Sequence, residues 1–232
     1  MPYIHILQET FAIAFLSTMV PFIVREVFQR HKVTILLYHK PTAQHFEKHL
    51  NYLIKKYSVI SLEEFIKARN QNCLQRLPAR PVILTFDDGA RDNYTLREVL
   101  QRYHVPATFF VCSDILGTNR HFWFSYRQKV KKNLKTIADA ERLKCLAQVG
   151  FDERKEFDTA EALSLQEVID LRNAGVSIQS HTLTHPILPM CDATKAKNEI
   201  AKSKTDLEKK LGAKVDFLAY PNGDYLLRDV ET

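Results

Sequence analysis

The sequence Val82-Ile83-Leu84-Thr85-Phe86-Asp87-Asp88-Gly89 has the pattern of a buried strand that ends in a functional loop. Its apolar, β-branched beginning predicts a strand, and two adjacent carboxylates follow where the chain turns at glycine. Asp-Asp-Gly is also an ordinary turn sequence, because aspartate and glycine both adopt the dihedral angles that turns require. The choice between turn and functional site therefore depends on what the rest of the chain brings to this strand end.

A second motif, Ser180-His181-Thr182-Leu183-Thr184-His185, follows another short apolar run at residues 176–178. Two histidines four residues apart can reach one metal ion, and a carboxylate from another strand would leave coordination positions open for water and substrate. The motif differs from the helical His-Glu-x-x-His pattern because Thr182 follows the first histidine and the segment follows a strand. The acidic pair could then supply one metal ligand and one general base. The alternative is that both histidines are simply polar residues of a turn.

Strand and helix patterns alternate along most of the chain, which predicts βαβ units and a parallel sheet or barrel. Both motifs fall at carboxyl ends of predicted strands, where such folds place their functional groups. The predicted strands are residues 33–38, 59–60, the run from Val82, 107–112, 176–178 and 215–220. Residues 122–158 are interpreted as an insertion over the barrel mouth that contains a long basic helix.

Composition predicts a globular protein: 232 residues, of which 45% are hydrophobic and 26% charged, can bury a sizeable core. The net charge of +6 is concentrated at residues 127–144 and 195–214, which have the spacing of solvated helices. No nucleic-acid-binding signature is present, so no nucleic-acid partner is predicted. The four cysteines form no Cys-x-x-Cys pair, which disfavours a thiolate zinc site and indicates a reducing, cytoplasmic compartment.

Residues 1–32 are predicted to form an apolar or amphipathic leader helix, followed by one domain over residues 33–232. The apolar run at residues 11–24 is shorter than the roughly 20 residues that span a bilayer, and it lacks the basic beginning of a signal peptide. Three interpretations stay open: a buried helix, a short membrane anchor, and an interfacial helix that makes peripheral membrane contact through Arg25, Arg30 and Lys32.

The two motifs together resemble the first two motifs of the polysaccharide deacetylases, the NodB-homology carbohydrate esterase family. Leu37-Tyr38-His39, Pro106-Ala107-Thr108-Phe109-Phe110 and Ala219-Tyr220-Pro221-Asn222-Gly223 support the resemblance and occur in the family's order. The resemblance extends from about Val33 to the end of the sequence and implies an α/β fold, a distorted (β/α) barrel.

The resemblance also implies an activity and its residues. Members of the family remove N- or O-acetyl groups from sugars with a divalent metal, commonly zinc, so the implied partner is an N-acetylated glycan, such as a polysaccharide or a lipid-linked precursor. The implied general base is Asp87, and the implied metal ligands are Asp88, His181 and His185. A backbone N–H near Asn222 would hold the oxyanion, and Tyr220 and Gly223 would contact the substrate.

Two departures from the family pattern give further expectations. Ala219 stands where many members have an arginine that orients the general base. No late Leu-x-His segment with a general acid occurs before Thr232, so the barrel is expected to be incomplete at its C-terminus, and His39 is a candidate for the acid or for substrate contact. The alternative hypotheses are an impaired remnant that binds metal and glycan, and a basic peripheral membrane protein.

Overall fold

A five-stranded sheet organises the protein, for which a computed structural model describes residues 18–230, without the side chains of residues 227 and 228. The strands are β1 (Thr34–Tyr38), β2 (Ser58–Val59), β3 (Pro81–Phe86), β4 (Ala107–Val111) and β5 (Val176–Ser180). The α-helices are α1 (Val20–Ile23), α2 (Ala43–Lys56), α3 (Leu62–Asn70), α4 (Arg97–Tyr103), α5 (Asp139–Ala147), α6 (Leu165–Asn173), α7 (Ala193–Leu211) and α8 (Leu227–Val230). Short 3₁₀-helices lie at Leu74–Arg76, Arg91–Leu96, Trp123–Lys129, Leu188–Met190 and Pro221–Gly223.

Two compact units divide the chain, and the division passes through β1 and β3. The first unit combines Met1–Leu36 with His49–Ile83, and the second combines Leu37–Lys48 with Leu84–Thr232. In the first unit, β2 pairs in parallel with the beginning of β3. Helix α3 begins in the same unit at Leu62, and the side chain of the N-cap residue Ser61 accepts the Glu64 N–H.

In the second unit, β4 pairs in parallel with the end of β3 on one side and with β5 on the other. The register runs from Ala107 opposite Val176 to Val111 opposite Ser180. Every residue of β4 is buried, which is expected of a parallel strand covered on both faces. Stacked and edge-on contacts of Phe86 with Tyr38, Phe46 and Phe109 fill the core below the strand ends. The structure therefore confirms the predicted parallel α/β architecture.

The predicted leader over residues 1–32 falls largely outside the described residues, which begin at residue 18. From there α1 and a π-helical turn at Val24–Phe28 precede β1. Within residues 18–230, no helix combines the length and the apolar character that crossing a bilayer requires. The division into a leader and one domain stays a prediction.

The predicted sixth strand at residues 215–220 is wrong, because the structure has only an isolated parallel bridge between Ser180 and Leu218. The side-chain oxygen of Gln179 explains the difference: it accepts the N–H groups of Asp216 (2.9 Å) and Phe217 (3.0 Å). The Gln179 side chain thus accepts two backbone N–H groups that would otherwise bond to a neighbouring strand. The segment still lies beside β5, since Ala219 N–H donates to Ser180 O at 3.0 Å.

The predicted long basic helix within residues 122–158 is also wrong, since the 3₁₀-helix Trp123–Lys129 and α5 are separate. Asn133 causes the interruption: its side-chain oxygen accepts Lys135 N–H at 3.1 Å, and its carbonyl accepts the Thr136 hydroxyl at 3.3 Å. Such local bonds favour a turn over a helix. Leu134, which lies in this turn, is buried in a cluster with Trp123.

Gly89 is expected to be indispensable for the turn that follows β3, and this gives a first testable prediction. Its φ is +73°, and a Cβ added there would lie 2.8 Å from both Cβ and Cγ1 of Val111 on β4. We expect Gly89→Ala to lower the free energy of unfolding by about 2–4 kcal/mol, because the left-handed backbone and the steric conflict act together. Urea unfolding measures the change.

Gly150→Ala is the matched control for Gly89→Ala. Gly150 has a φ of +85°, but nothing lies within 4 Å of an added Cβ, so this variant has only the backbone cost of about 1–2 kcal/mol. Equal losses in the two variants would show that the close approach to Val111 has no energetic weight.

Candidate metal centre

The carboxyl ends of β3 and β5 bring the acidic and histidine motifs together. Asp87 N–H donates to Tyr38 O at the end of β1 (3.0 Å), and His181 N–H donates to Val111 O at the end of β4 (2.9 Å). These backbone bonds fix both motifs to strand ends, and Asp87, Asp88 and His181 are all buried. The predicted meeting of the two motifs at one edge of the sheet is therefore confirmed.

Three side chains form a compact set of potential metal ligands. Asp88 Oδ1 lies 3.1 Å from His185 Nε2 and 3.6 Å from His181 Nε2. One ligand atom from each of the three residues lies within 4.8 Å of the other two. Despite these distances, Asp88 Oδ1 is buried without a hydrogen-bond partner among the described residues. One carboxylate and two imidazoles form a donor set suited to a catalytic divalent cation, and a bound cation would satisfy this oxygen. The residues thus fit the metal that the sequence predicts.

The orientation of His181 is fixed by the carbonyl of Ala219, which lies 2.9 Å from Nδ1. Because a carbonyl can only accept, Nδ1 carries the proton and Nε2 presents its lone pair toward Asp88. Burial, together with the neighbouring His185, lowers the pKa of His181 to about 3. His181 is therefore a neutral imidazole at physiological pH, the form that binds metal.

The two aspartates have opposite electrostatic behaviour. Burial and the charge of Asp88 raise the pKa of Asp87 to about 7. Burial also acts to raise the pKa of Asp88, but the adjacent imidazoles of His185 and His181 outweigh it and hold that pKa below its usual value. A pair of carboxyl groups whose pKa values separate in this way can divide into a ligand and a proton acceptor.

Backbone strain accompanies the site. Asp88 (φ +74°), Thr182 (+69°), His185 (+60°) and Asn222 (+60°) all have left-handed conformations that non-glycine residues rarely adopt. Each costs of order 1 kcal/mol or more and persists only where the surroundings hold it. The histidine loop must therefore be held by interactions outside the motif itself.

Glu199 of α7 supplies one such interaction. Its Oε2 accepts the N–H groups of Leu183 (3.0 Å) and Thr184 (2.9 Å), and its Oε1 accepts the Thr184 hydroxyl (2.7 Å). The residue is 3% exposed, so these three bonds form away from water. Sequence reasoning missed Glu199, because a glutamate in a basic amphipathic helix has the same pattern as a solvated charge.

We expect Glu199→Ala to weaken metal binding by about 10–100-fold, the range typical of residues that orient metal ligands. The loss of three bonds also leaves buried donors unpaired and should lower stability by about 2–4 kcal/mol. Glu199→Gln keeps an acceptor for the two N–H groups and should restore part of both quantities. Asp206→Ala is the control, because it removes a half-buried carboxylate of the same helix that pairs with Lys210 and makes no bond to the histidine loop; an equal effect there would contradict a specific role for Glu199.

Trp123 holds the second histidine from another direction. Its indole N–H donates to His185 O at 2.7 Å. The guanidinium of Arg142 lies 4.6 Å from the centre of the Trp123 ring, and Arg142 forms a buried ion pair with Asp139. Asp139 also accepts a hydrogen bond from Lys195 at 2.6 Å. Trp123 is also buried in a core cluster with Leu134, so one side chain both packs in the core and holds the histidine loop.

The candidate metal centre opens into a cavity of about 1070 Å³. All of the residues predicted for catalysis, metal binding and substrate contact line it: His39, Asp87, Asp88, His181, His185, Tyr220, Asn222 and Gly223. The Tyr220 ring stacks on Tyr225 at a centroid distance of 4.8 Å, and Tyr225 is 53% exposed. Gly223 N–H donates to Tyr220 O at 2.9 Å and is thus already used within the turn. The structure places the predicted residues in one cavity but does not assign their roles.

Residues 75–230 match the family model for polysaccharide deacetylases, and the chain belongs to this family. Among its relatives, YxkH of Bacillus subtilis strain 168, whose name places it with the polysaccharide deacetylases, is 24% identical over 204 residues. That match covers 84% of this chain, and the chain spans 58% of the length of that curated relative.

Two solved structures show the same fold. The Streptococcus pyogenes deacetylase PplD, solved in complex with acetate, has a TM-score of 0.61 at 24% identity, covering 86% of this chain and 77% of its own. IcaB from Ammonifex degensii has a TM-score of 0.59 at 20% identity, covering 86% of this chain and 78% of its own. The predicted family and its NodB-type α/β fold are therefore confirmed.

Proposed function

We propose that this chain is a divalent-metal-dependent hydrolase that removes acetyl groups from a glycan. The observation that carries the proposal is the buried set of Asp88, His181 and His185 beside Asp87 in an open cavity. Zinc is the proposed metal, since two imidazoles and one carboxylate with open positions form a common catalytic zinc site. The proposed substrate is an N-acetylated, or alternatively O-acetylated, polysaccharide or lipid-linked glycan.

A cation held by Asp88, His181 and His185 would supply a Lewis acid that polarises the acetyl carbonyl and makes water more acidic. Asp87 is proposed as the general base that takes the proton of the attacking water. Its buried carboxyl has a pKa raised to about 7 by burial and by Asp88, and a cation beside it would shift the balance toward the carboxylate. The backbone bond to Tyr38 fixes the main chain of Asp87, whereas its Oδ1 is buried without a hydrogen-bond partner among the described residues; the attacking water is proposed to be that partner.

The remaining cavity residues are proposed to handle the substrate. The N–H of Asn222 stabilises the oxyanion that develops on the acetyl carbonyl, and Tyr220 with Gly223 contacts the sugar. His39 is the proposed proton donor to the leaving group, since it lines the same cavity as Asp87. We also propose a cytoplasmic location and membrane contact through residues 1–32, both of which would suit a lipid-linked substrate.

Acetate release tests the proposed function. The purified chain, loaded with zinc, is incubated with chitooligosaccharides and with O-acetylated glycans, and acetate is measured by NMR. We expect release that stops with EDTA and returns when zinc is added. Metal and glycan binding without any acetate would overturn the proposal and favour a binding-only protein instead.

A further inference from the structure

The lining of the proposed catalytic cavity has more basic than acidic side chains. Lys40, Arg127 and Lys135 line the cavity, and the carboxylates that line it are Asp87 and Asp88 alone. Asp88 belongs to the proposed ligand set of the cation, and Asp87 lies beside it as the proposed base. Apart from these two aspartates, the three basic side chains are therefore the only charged residues of the lining that a substrate could contact.

These basic side chains have no ion-pair partner among residues 18–230, whereas two of their neighbours in the same segment have partners. Lys132 pairs with Glu141, and Lys129 lies 4.6 Å from the centre of the Tyr126 ring. Over residues 18–230, no carboxylate lies within ion-pair distance of Lys40, Arg127 or Lys135, and all three are exposed.

The three cations come from two parts of the chain. Lys40 follows β1, whereas Arg127 belongs to the 3₁₀-helix Trp123–Lys129 and Lys135 lies in the turn that Asn133 forms shortly after it. One cavity lining thus combines cations from both parts, which a single solvated helix face would not do. An anionic ligand in the cavity would supply the counter-charge that none of the three has among residues 18–230.

We propose that the substrate of this site is an anionic glycan, which carries a carboxylate or a phosphate close to the acetylated sugar. The inference rests on the proposed deacetylation, because it assigns the substrate class of the same cavity. Arg127 can bind either group through its planar fork, and Lys40 and Lys135 act as point charges. A neutral acetylated glycan would leave all three cations without a partner.

Three forms of one oligosaccharide test the proposal: the neutral tetramer of N-acetylglucosamine, the same tetramer with one 6-phosphate, and the same tetramer with one 6-carboxymethyl group. Calorimetric titration of the zinc-loaded chain gives Kd for each at low and high NaCl. We expect the charged tetramers to bind about 10-fold more tightly than the neutral one at low salt, and the difference to shrink as salt screens the charges.

The double variant Arg127→Glu/Lys135→Glu should remove or reverse this preference, as the ratio of the Kd values shows. Lys131→Glu is the control, because it makes the same charge change in the same segment at an exposed residue outside the cavity lining. Preference for both charged tetramers supports recognition of charge alone, and preference for one identifies the group. Equal affinity for charged and neutral tetramers, or a preference that survives the double variant, would overturn the proposal.

Binding and turnover separate this inference from the proposed function. If no tetramer releases acetate, deacetylation of these glycans fails, but the ratio of Kd values still decides whether the cavity prefers anions. If all three release acetate with equal kcat/KM and equal Kd, the deacetylase stands and the anionic substrate class is wrong.

Discussion

An Asp87→Asn variant is expected to release acetate about 10²–10⁴-fold more slowly than the wild-type chain, the range by which a positioned general base accelerates proton transfer. Asparagine has the shape of aspartate but cannot accept the proton of the attacking water. The variant should fold as well as the wild type, because burial and Asp88 already disfavour the charged form of Asp87. Acetate release and urea unfolding measure the two quantities.

Metal content distinguishes a general base from a ligand in this experiment. Asp87 is not part of the three-residue group whose ligand atoms converge, so Asp87→Asn should retain its metal after dialysis. Asp92→Asn is the control, since it makes the same chemical change at an exposed residue beyond the turn. A variant that loses both metal and activity would assign Asp87 to the metal instead, and one that keeps full activity would remove it from the mechanism.

The parts of the site that follow strand ends could be predicted from the sequence. A short apolar run followed by Asp87 and Asp88, and another followed by His181, give local signals, since parallel strands end at one edge of a sheet. The glycine after the acidic pair also has a local explanation in its positive φ. These signals depend on neighbouring residues in the sequence, so pattern reasoning could find them.

The interactions that hold the site could not be predicted in the same way. Glu199 reaches the histidine loop only because α7 packs beside it, and Arg142 stacks on Trp123 only because α5 folds back after the turn at Asn133. Gln179 replaces the pairing of a sixth strand with its own side chain. Each depends on a contact between segments far apart in sequence, for which composition and periodicity carry no signal.

Removal of a metal ligand is the second change with a very large expected effect. We expect Asp88→Ala and His181→Ala each to weaken zinc binding by at least about 100-fold, because changes to residues that only orient the metal ligands cost about 10–100-fold and these two belong to the proposed ligand set itself. Mass spectrometry of the dialysed proteins should find about one zinc per wild-type chain and far less in either variant.

Thermal unfolding gives an independent measure of the same loss. Zinc at about 100 times its Kd should stabilise the wild-type chain by about 2.7 kcal/mol, because a ligand that binds only the folded state shifts the unfolding equilibrium. Asp88→Ala should show little of this shift at the same zinc concentration. His39→Ala is the matched control: this exposed histidine lines the cavity outside the ligand group, so its variant should keep the metal and the zinc-dependent shift. If zinc still stabilises both Asp88→Ala and His181→Ala, the metal binds elsewhere and the three converging side chains do not hold it.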